Sequence, residues 1–273
     1  MANNRQIELS MVDYSRQETF NAEVQNEAWD VKDAQVIIIG CGGIGFWLGI
    51  QLAMTGLIAG ITVFDKEKIE ASNLNRLPVP QTWAGKPKVL CFKRIVQMLR
   101  PELAVTAVKA HITEDTTGVL KKLIEDNQRH LIVFDCTDDA RAQKMIYDLV
   151  RAVGSTIRYI KAGYEGHNIG AIKVLNAWIP ADYRPGYRTT NANAVTSAIA
   201  AGVAIYKMIF GSNEDLKLNL KEVVSNQPAP GQRVRRNPRG QHATTAAQPA
   251  TTWTAATPLA AEEEPEDDDE GAH

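Results

Sequence analysis

Gly40-Cys41-Gly42-Gly43-Ile44-Gly45 places four glycines between a run of aliphatic residues and a stretch with helical spacing. Glycines at a strand-to-helix turn permit a tight bend and let backbone amides approach a phosphate, while the helix N-terminus adds partial positive charge. Gly40, Gly42, Gly43 and Gly45 are therefore candidate nucleotide ligands. Asp65 closes the next apolar run, where a carboxylate can accept hydrogen bonds from ribose hydroxyls. A glycine turn kept only for packing has no need of that acid. The combination points to an adenosine-type nucleotide and to nothing finer.

The residues beyond Asp65 narrow the chemistry. Ser72-Asn73-Leu74-Asn75-Arg76 and Gly85-Lys86-Pro87-Lys88 set hydroxyl, amide, guanidinium and ammonium groups shortly after the ribose acid. A nicotinamide-dependent oxidoreductase holds its pyrophosphate with the glycine turn and needs no such concentration. A triphosphate does need it, because attack on the α-phosphorus builds charge on the departing pyrophosphate that fixed cations stabilise. Lys88 is the expected ligand and Lys86 a solvated neighbour. Asp135-Cys136-Thr137-Asp138-Asp139 ends another apolar run, a position from which carboxylates face the ligand crevice and can hold magnesium beside phosphates. Asp138 and Asp139 also suit a helix N-cap, and one residue can serve both ends.

These groups need a sheet to carry them. Gln35–Gly40, Gly60–Asp65, Val105–Ile112 and His130–Cys136 read as strands, with Thr156–Ala162 and Ala171–Trp178 extending the series. Helical spacing runs from Ile44 to a stop at Gly56, over Lys88–Leu99 before Pro101, and over Asp115–Asp126, Ala140–Val153 and Ala194–Phe210. Leu216, Leu218 and Leu220 alternate like a further strand. Strands alternating with helices predict an α/β fold with a doubly wound, mostly parallel, Rossmann-like sheet. Residues 1–32 read as an N-terminal helical arm, 33–225 as the nucleotide-binding domain and 226–273 as a disordered tail rich in Pro, Ala and Thr with an acidic end.

Composition sets the outer limits. The 273 residues carry 30 basic and 32 acidic side chains for a net charge of -2. The balance is uneven, since the tail from Gln227 has four arginines and eight acids, leaving the body at +2 and the tail at -4. Near-neutrality argues against a protein that coats nucleic acid or anionic lipid. Arg233-Val234-Arg235-Arg236 has no interleaved aromatics and reads as solvated linker. Cys41, Cys91 and Cys136 are far apart, without a CxxC pair, which disfavours disulfides and a four-cysteine zinc site. The first thirty residues lack a signal pattern, and Ala194–Phe210, broken by Lys207, is too short to span a bilayer. A soluble, cytoplasmic protein is expected.

Taken in order, GCGGIG, VFDKEKIEASNLNR, GKPK and DCTDD resemble the ThiF/MoeB family, the adenylating domain shared with ubiquitin-activating enzymes, over roughly Tyr14 to Gly211. The resemblance implies ATP-dependent adenylation of a carboxylate, usually the terminal glycine of a ubiquitin-like or sulfur-carrier protein, or of a peptide with a free C-terminus. It implies Gly43 against the nucleotide, Asp65 on the ribose, and Asn73, Arg76 and Lys88 on the phosphates. Asp138 becomes the magnesium-linked carboxylate, with Ser72 and Asp139 completing the nucleotide contacts. Tyr14-Ser15-Arg16-Gln17 is similar to the family's N-terminal arm, which implies a homodimer in which Arg16 reaches the neighbouring subunit's triphosphate.

The departures carry expectations of their own. Without CxxC pairs no zinc is expected. The stretch Pro180–Asn191, where thioester-forming members place a cysteine, has none, so the reaction is expected to stop at the acyl-adenylate or to pass it to an external nucleophile. The three cysteines read as buried fillers. Asp139 stands where the family has Asn and Gln143 where it has Arg, with Arg141 nearby. Gly163-Tyr164-Glu165-Gly166 with Gly170 reads either as a close-approach loop for a substrate's glycine tail or as a plain hairpin. An NAD-dependent oxidoreductase and a non-catalytic nucleotide-binding scaffold are the alternatives to an adenylyltransferase.

Overall fold

The computed structural model describes residues 15–16, 31, 33–127, 130–153, 157–173, 192–210 and 216–225. The chain divides into two units, Met1–Gln227 and Pro228–His273, and every described residue belongs to the first. Strands β1 (Ala34–Ile39), β2 (Ile58–Phe64), β3 (Ala104–Val108), β4 (Leu131–Asp135), β5 (Arg158–Glu165), β6 (Asn168–Lys173) and β7 (Leu216–Asn219) form one sheet, ordered β3-β2-β1-β4-β5-β6-β7. β1 to β5 pair in parallel, and β6 and β7 add antiparallel.

The parallel strands are aliphatic on both faces because both faces are covered. On one side α1 (Gly43–Thr55), α2 (Lys88–Leu99) and α5 (Ala194–Phe210) pack over Val36, Ile38, Ile61, Val63, Ile132, Phe134 and Ile160. On the other, α3 (Thr117–Asp126) and α4 (Ala140–Val153) cover Ile37, Ile39, Leu131, Val133 and Tyr159. A short helix, α6 (Leu220–Ser225), follows β7. Phe46 of α1 meets Phe92 of α2 edge-on, with ring centroids 5.6 Å apart and planes at 77°, and both rings are fully buried.

The strand order reverses beside β1, whose neighbours are β2 and β4. At such a switch point the connections leave to opposite faces and open a crevice at the carboxyl ends of the strands. The glycine turn, Asp65 and the Asp135–Asp139 motif sit on those ends.

Several boundaries differ from the sequence expectation. β3 stops at Val108 rather than Ile112, because its pairing with β2 ends at Phe64. β5 runs on to Glu165 through antiparallel pairing with β6. β6 begins at Asn168, earlier than expected, and the rest of the expected strand, 174–178, lies outside the described residues. Leu220 starts α6 instead of continuing β7, since the Asn219 carboxamide oxygen accepts the Lys221 and Glu222 amides and turns the chain into helix. Apart from Ser15, Arg16 and Val31, the expected arm 1–32 lies outside the described residues, as does the tail from 226.

Replacing Phe92 with Ala is expected to lower stability by about 3–5 kcal/mol. The check is the urea midpoint of unfolding at unchanged slope.

Candidate nucleotide site

The glycine turn is held between two strand ends. The Gly40 amide donates to the Phe64 carbonyl at 2.9 Å, and the Cys136 amide donates to the Ile39 carbonyl at 2.8 Å. Gly40 adopts φ +92°, a left-handed conformation that favours glycine, and a Cβ there would lie 2.8 Å from the Cys136 carbonyl oxygen. A Cβ on Gly45 would sit 1.9 Å from the Gly40 oxygen, so the first turn of α1 can fold back on the loop only with glycine at that position. Among the described residues no side chain caps α1 at Gly42, and its first-turn amides and dipole face the crevice.

Asp65 is fixed beside this turn. Its Oδ2 accepts the Cys41 amide at 2.8 Å and its Oδ1 the Glu67 amide at 2.7 Å. Burial pushes its carboxyl above the usual range against these amides and Lys88. A carboxylate offers about four lone-pair sites, so ribose hydroxyls can still be accepted.

The segment after Asp65 is folded rather than loose. Glu70 and Asn73 cap a 3-10 turn reciprocally over Ala71–Asn73, which buries Asn73, and the Ser72 hydroxyl reaches Glu70 at 3.3 Å. Arg76 donates to the Ser72 carbonyl and the Asn75 side chain, both at 2.9 Å, and its own carbonyl takes the Trp47 indole N–H at 2.9 Å. Trp47 lies in α1, so Arg76 is tied to the glycine helix. The Ile69 and Gly85 amides close the segment on itself, and α2 starts with Lys88. The Lys88 side chain is 6% exposed and pairs with Glu67 at 2.5 Å, whose own side chain is 62% exposed. That hydrogen bond holds the Glu67 carboxyl below its ordinary range.

On the β4 side, Asp135 is buried. Its Oδ2 accepts the Tyr159 hydroxyl at 2.6 Å, and its Oδ1 accepts the Thr137 hydroxyl at 2.7 Å and amide at 3.0 Å. Gln143 donates to the Thr137 carbonyl at 2.7 Å and accepts from the buried Lys161 ammonium at 2.6 Å. Burial pushes Asp135 up and Lys161 down, each opposed by the other's charge. Gln143 is thus part of the support beneath the 136–139 loop.

Asp139 caps α4 through the Arg141 and Ala142 amides, and His111 Nε2 lies 3.2 Å from its Oδ2. Burial raises its pKa, but these bonds outweigh burial and hold the carboxyl below the usual range. The N-cap reading is therefore realised in Asp139, while the neighbouring Asp138 lies between that cap and the Thr137 turn.

The structure brings Gly40, Gly42, Gly43, Gly45, Asp65, Ser72, Asn73, Arg76, Lys88, Asp138 and Asp139 to one end of the sheet. Arg16 is exposed on a helical turn, and no contact among the described residues joins it to the others. Lys86, expected to be solvated only, also lies over the Trp83 ring at 5.7 Å. Glu67, His111, Tyr159 and Lys161 belong to the site or its support without standing out in the motifs. For the last, a lysine inside the apolar strand Tyr159-Ile160-Lys161-Ala162 is the available signal. Burial raises the pKa of Cys41, Cys91 and Cys136 alike. No cluster of three or more metal-ligating side chains occurs among the described residues.

The profile of the ThiF family matches residues 14–229. The chain belongs to the ThiF family. It is 30% identical over 144 residues to the molybdopterin-synthase adenylyltransferase of Escherichia coli K12, covering 52% of this chain and 51% of that one. The chain spans about half the length of the curated relatives it matches first. Its fold resembles that of PaaA, with a TM-score of 0.58, 24% identity and coverage of 81% and 75% of the two chains. It also resembles E. coli MccB solved with ATP, with a TM-score of 0.54, 19% identity and coverage of 78% and 72%. The ThiF-family member is thus doubly wound as expected, and none of its described helices is long and apolar enough to cross a membrane.

Two outcomes test this description. Asp139→Ala should cost about 1 kcal/mol of stability by loss of the cap, with Asp139→Asn within a few tenths of wild type, measured by thermal unfolding. At pH 8 the buried Cys41 and Cys91 thiols should not react with an aromatic disulfide reagent in the folded protein, and all three thiols should react in denaturant.

Proposed function

We propose that this ThiF-family protein is an adenylyltransferase that binds ATP at the glycine turn and activates the terminal carboxylate of a ubiquitin-like or sulfur-carrier protein, or of a peptide. The observation that carries this reading is the pair of cations held near the turn: the Arg76 guanidinium on the Ser72 carbonyl and the Asn75 side chain, in a segment whose Arg76 carbonyl accepts the Trp47 indole of α1, and Lys88 on Glu67. The naming of the E. coli relative as an adenylyltransferase and the ATP found with MccB agree with it.

In this reading the amides of Gly42, Gly43 and Gly45 face the phosphates and Asp65 holds the ribose. A carboxylate oxygen of the substrate attacks the α-phosphorus, an acyl-phosphate bond forms, and the bond to the β-phosphate breaks as pyrophosphate leaves. Arg76 and Lys88 offset the charge that develops on the leaving group. The carboxylate is ionised at neutral pH, so no general base is needed. The work of the protein is positioning and electrostatics.

Magnesium suits Asp138, an accessible carboxylate in the loop beside the turn, because Mg2+ on a nucleotide commonly takes one or two carboxylates and keeps its waters. When bound it neutralises phosphate charge. Asp139, with both oxygens engaged by the cap and His111, is a support for that loop rather than the first ligand. With the pKa of Cys41, Cys91 and Cys136 raised, this reading makes none of them the nucleophile, and the acyl-adenylate is the product or passes to an external nucleophile. A homodimer with Arg16 completing the partner's site, an arm at 1–32, a domain at 33–225 and a peripheral acidic tail complete the proposal. No zinc, membrane or nucleic acid is part of it.

The test is ATP–pyrophosphate exchange with small proteins and peptides ending in glycine. Arg76→Ala and Lys88→Ala should each lower exchange by about 100-fold or more while the thermal midpoint stays near wild type. Lys88 can be removed without stranding a buried charge, because Glu67 is solvated. Full activity in both variants, or ATP binding without exchange for every carboxylate tried, would overturn the assignment.

A further inference from the structure

Two hydroxyls from distant parts of the chain converge on Gly43. A Cβ built on this residue would lie 2.9 Å from Ser197 Oγ and 3.1 Å from the Tyr164 hydroxyl oxygen. Gly42, one residue earlier, has nothing within 4 Å of such a Cβ. The turn is therefore open at Gly42 and bordered by hydroxyls at Gly43. Tyr164 comes from β5 and Ser197 from the first turn of α5, so they stand on the side of the turn away from Asp65 and β2.

The pair is built rather than incidental. Ser197 is fully buried and hydrogen-bonds the Asn193 carbonyl, while its Oγ lies 3.3 Å from the Tyr164 oxygen. Ser197 shares its one proton between the Asn193 carbonyl and the Tyr164 oxygen, which leaves the phenolic proton of Tyr164 for a ligand. The Asn193 side chain caps α5 through the Thr196 amide, and the preceding Ala192 carbonyl accepts from Asn75, next to Arg76, at 2.8 Å. The hydroxyl pair is thereby linked to the segment that carries the phosphate-directed guanidinium.

We infer that Tyr164 orients the acyl group: its hydroxyl donates to the carboxylate oxygen that does not attack, and Ser197 holds the phenol in place. This rests on the proposed adenylation. With ribose held on the β2 side by Asp65, the acyl group joins the α-phosphate on the opposite side, where Tyr164 stands. A carboxylate has two equivalent oxygens, and fixing one with a hydrogen bond presents the other to phosphorus. Tyr164 keeps its proton throughout. The acyl-phosphate bond forms, the bond to pyrophosphate breaks, and no proton moves. Ser197 is a positioning residue, since it acts through Tyr164.

The experiment compares two probes on the full chain by calorimetry: AMP, and acetylglycyl-sulfamoyl adenosine, a stable mimic of a glycine-terminated acyl-adenylate. Wild type should bind the mimic more tightly than AMP. Tyr164→Phe should bind AMP as wild type does and the mimic roughly 10-fold more weakly, the loss expected for one hydrogen bond to a polarised acyl oxygen. Should that variant shift the thermal midpoint by more than a few degrees, Ser197→Ala, which keeps the phenol but removes its support, is read by the same ratio. Equal binding of the mimic by wild type and variant, or loss of both probes by the same factor, overturns the role of Tyr164. Wild type that binds AMP but gains nothing from the acetylglycyl group overturns it as well. Wild type that binds neither probe overturns the nucleotide reading itself, and this inference with it.

Discussion

The site depends on the close approach of backbone to backbone where β1 ends. Gly40 rests against the Cys136 carbonyl on one side and donates to Phe64 on the other, and Gly45 comes back over the Gly40 oxygen. Three strands are thereby clamped at one point, and α1 leaves it at a fixed angle. Asp65, which accepts the Cys41 amide, is part of the same clamp. A change at any of these contacts moves Asp65, the helix N-terminus and the Asp138 loop together, because packed interiors transmit displacement rather than absorb it.

Around that point the polar side chains fall into two groups with different work. Arg76 and Lys88 border the crevice and have partners that are solvent-accessible or made of backbone. Asp135, Thr137, Gln143, Tyr159 and Lys161 form a closed network beneath, in which each group satisfies another. Among the described residues no buried side-chain nitrogen or oxygen lacks a partner. A network of this kind is costly to break at any one member, and it defines one position for the loop it supports. The chain thus combines a fixed floor with groups above it that are able to exchange partners.

Much of this is legible in the residues. The glycine pattern, the aliphatic runs and Asp65 mark the crevice, because close backbone approach and a carboxylate that accepts the Cys41 amide demand particular residue types at particular offsets. Asp139 suits both ligand and cap in the sequence, and the positions of the Arg141 and Ala142 amides show the cap. The hairpin at Gly166 and the Asn219 cap that starts α6 have local signals, whereas the run of β5 on to Glu165 depends on pairing with β6, which local sequence does not encode. Tyr164 and Ser197 lie 33 residues apart and are joined only by the sheet and α5 coming together over Gly43. Lys161 shows the converse: a charge in an apolar strand signals a partner, but not which one.

The Glu67–Lys88 pair has a consequence for discrimination. Lys88 is almost wholly buried and already holds a carboxylate, and that carboxylate is attached two residues from Asp65. Any anion arriving at the ammonium must displace a tethered rival whose effective concentration is high. A single weak anion gains little from the exchange. In the proposed adenylation a polyphosphate, with several charges and simultaneous contacts at the glycine turn and Arg76, would gain enough to win it. On that reading the cleft would set a threshold on the charge of what it admits, with Glu67 as the standard.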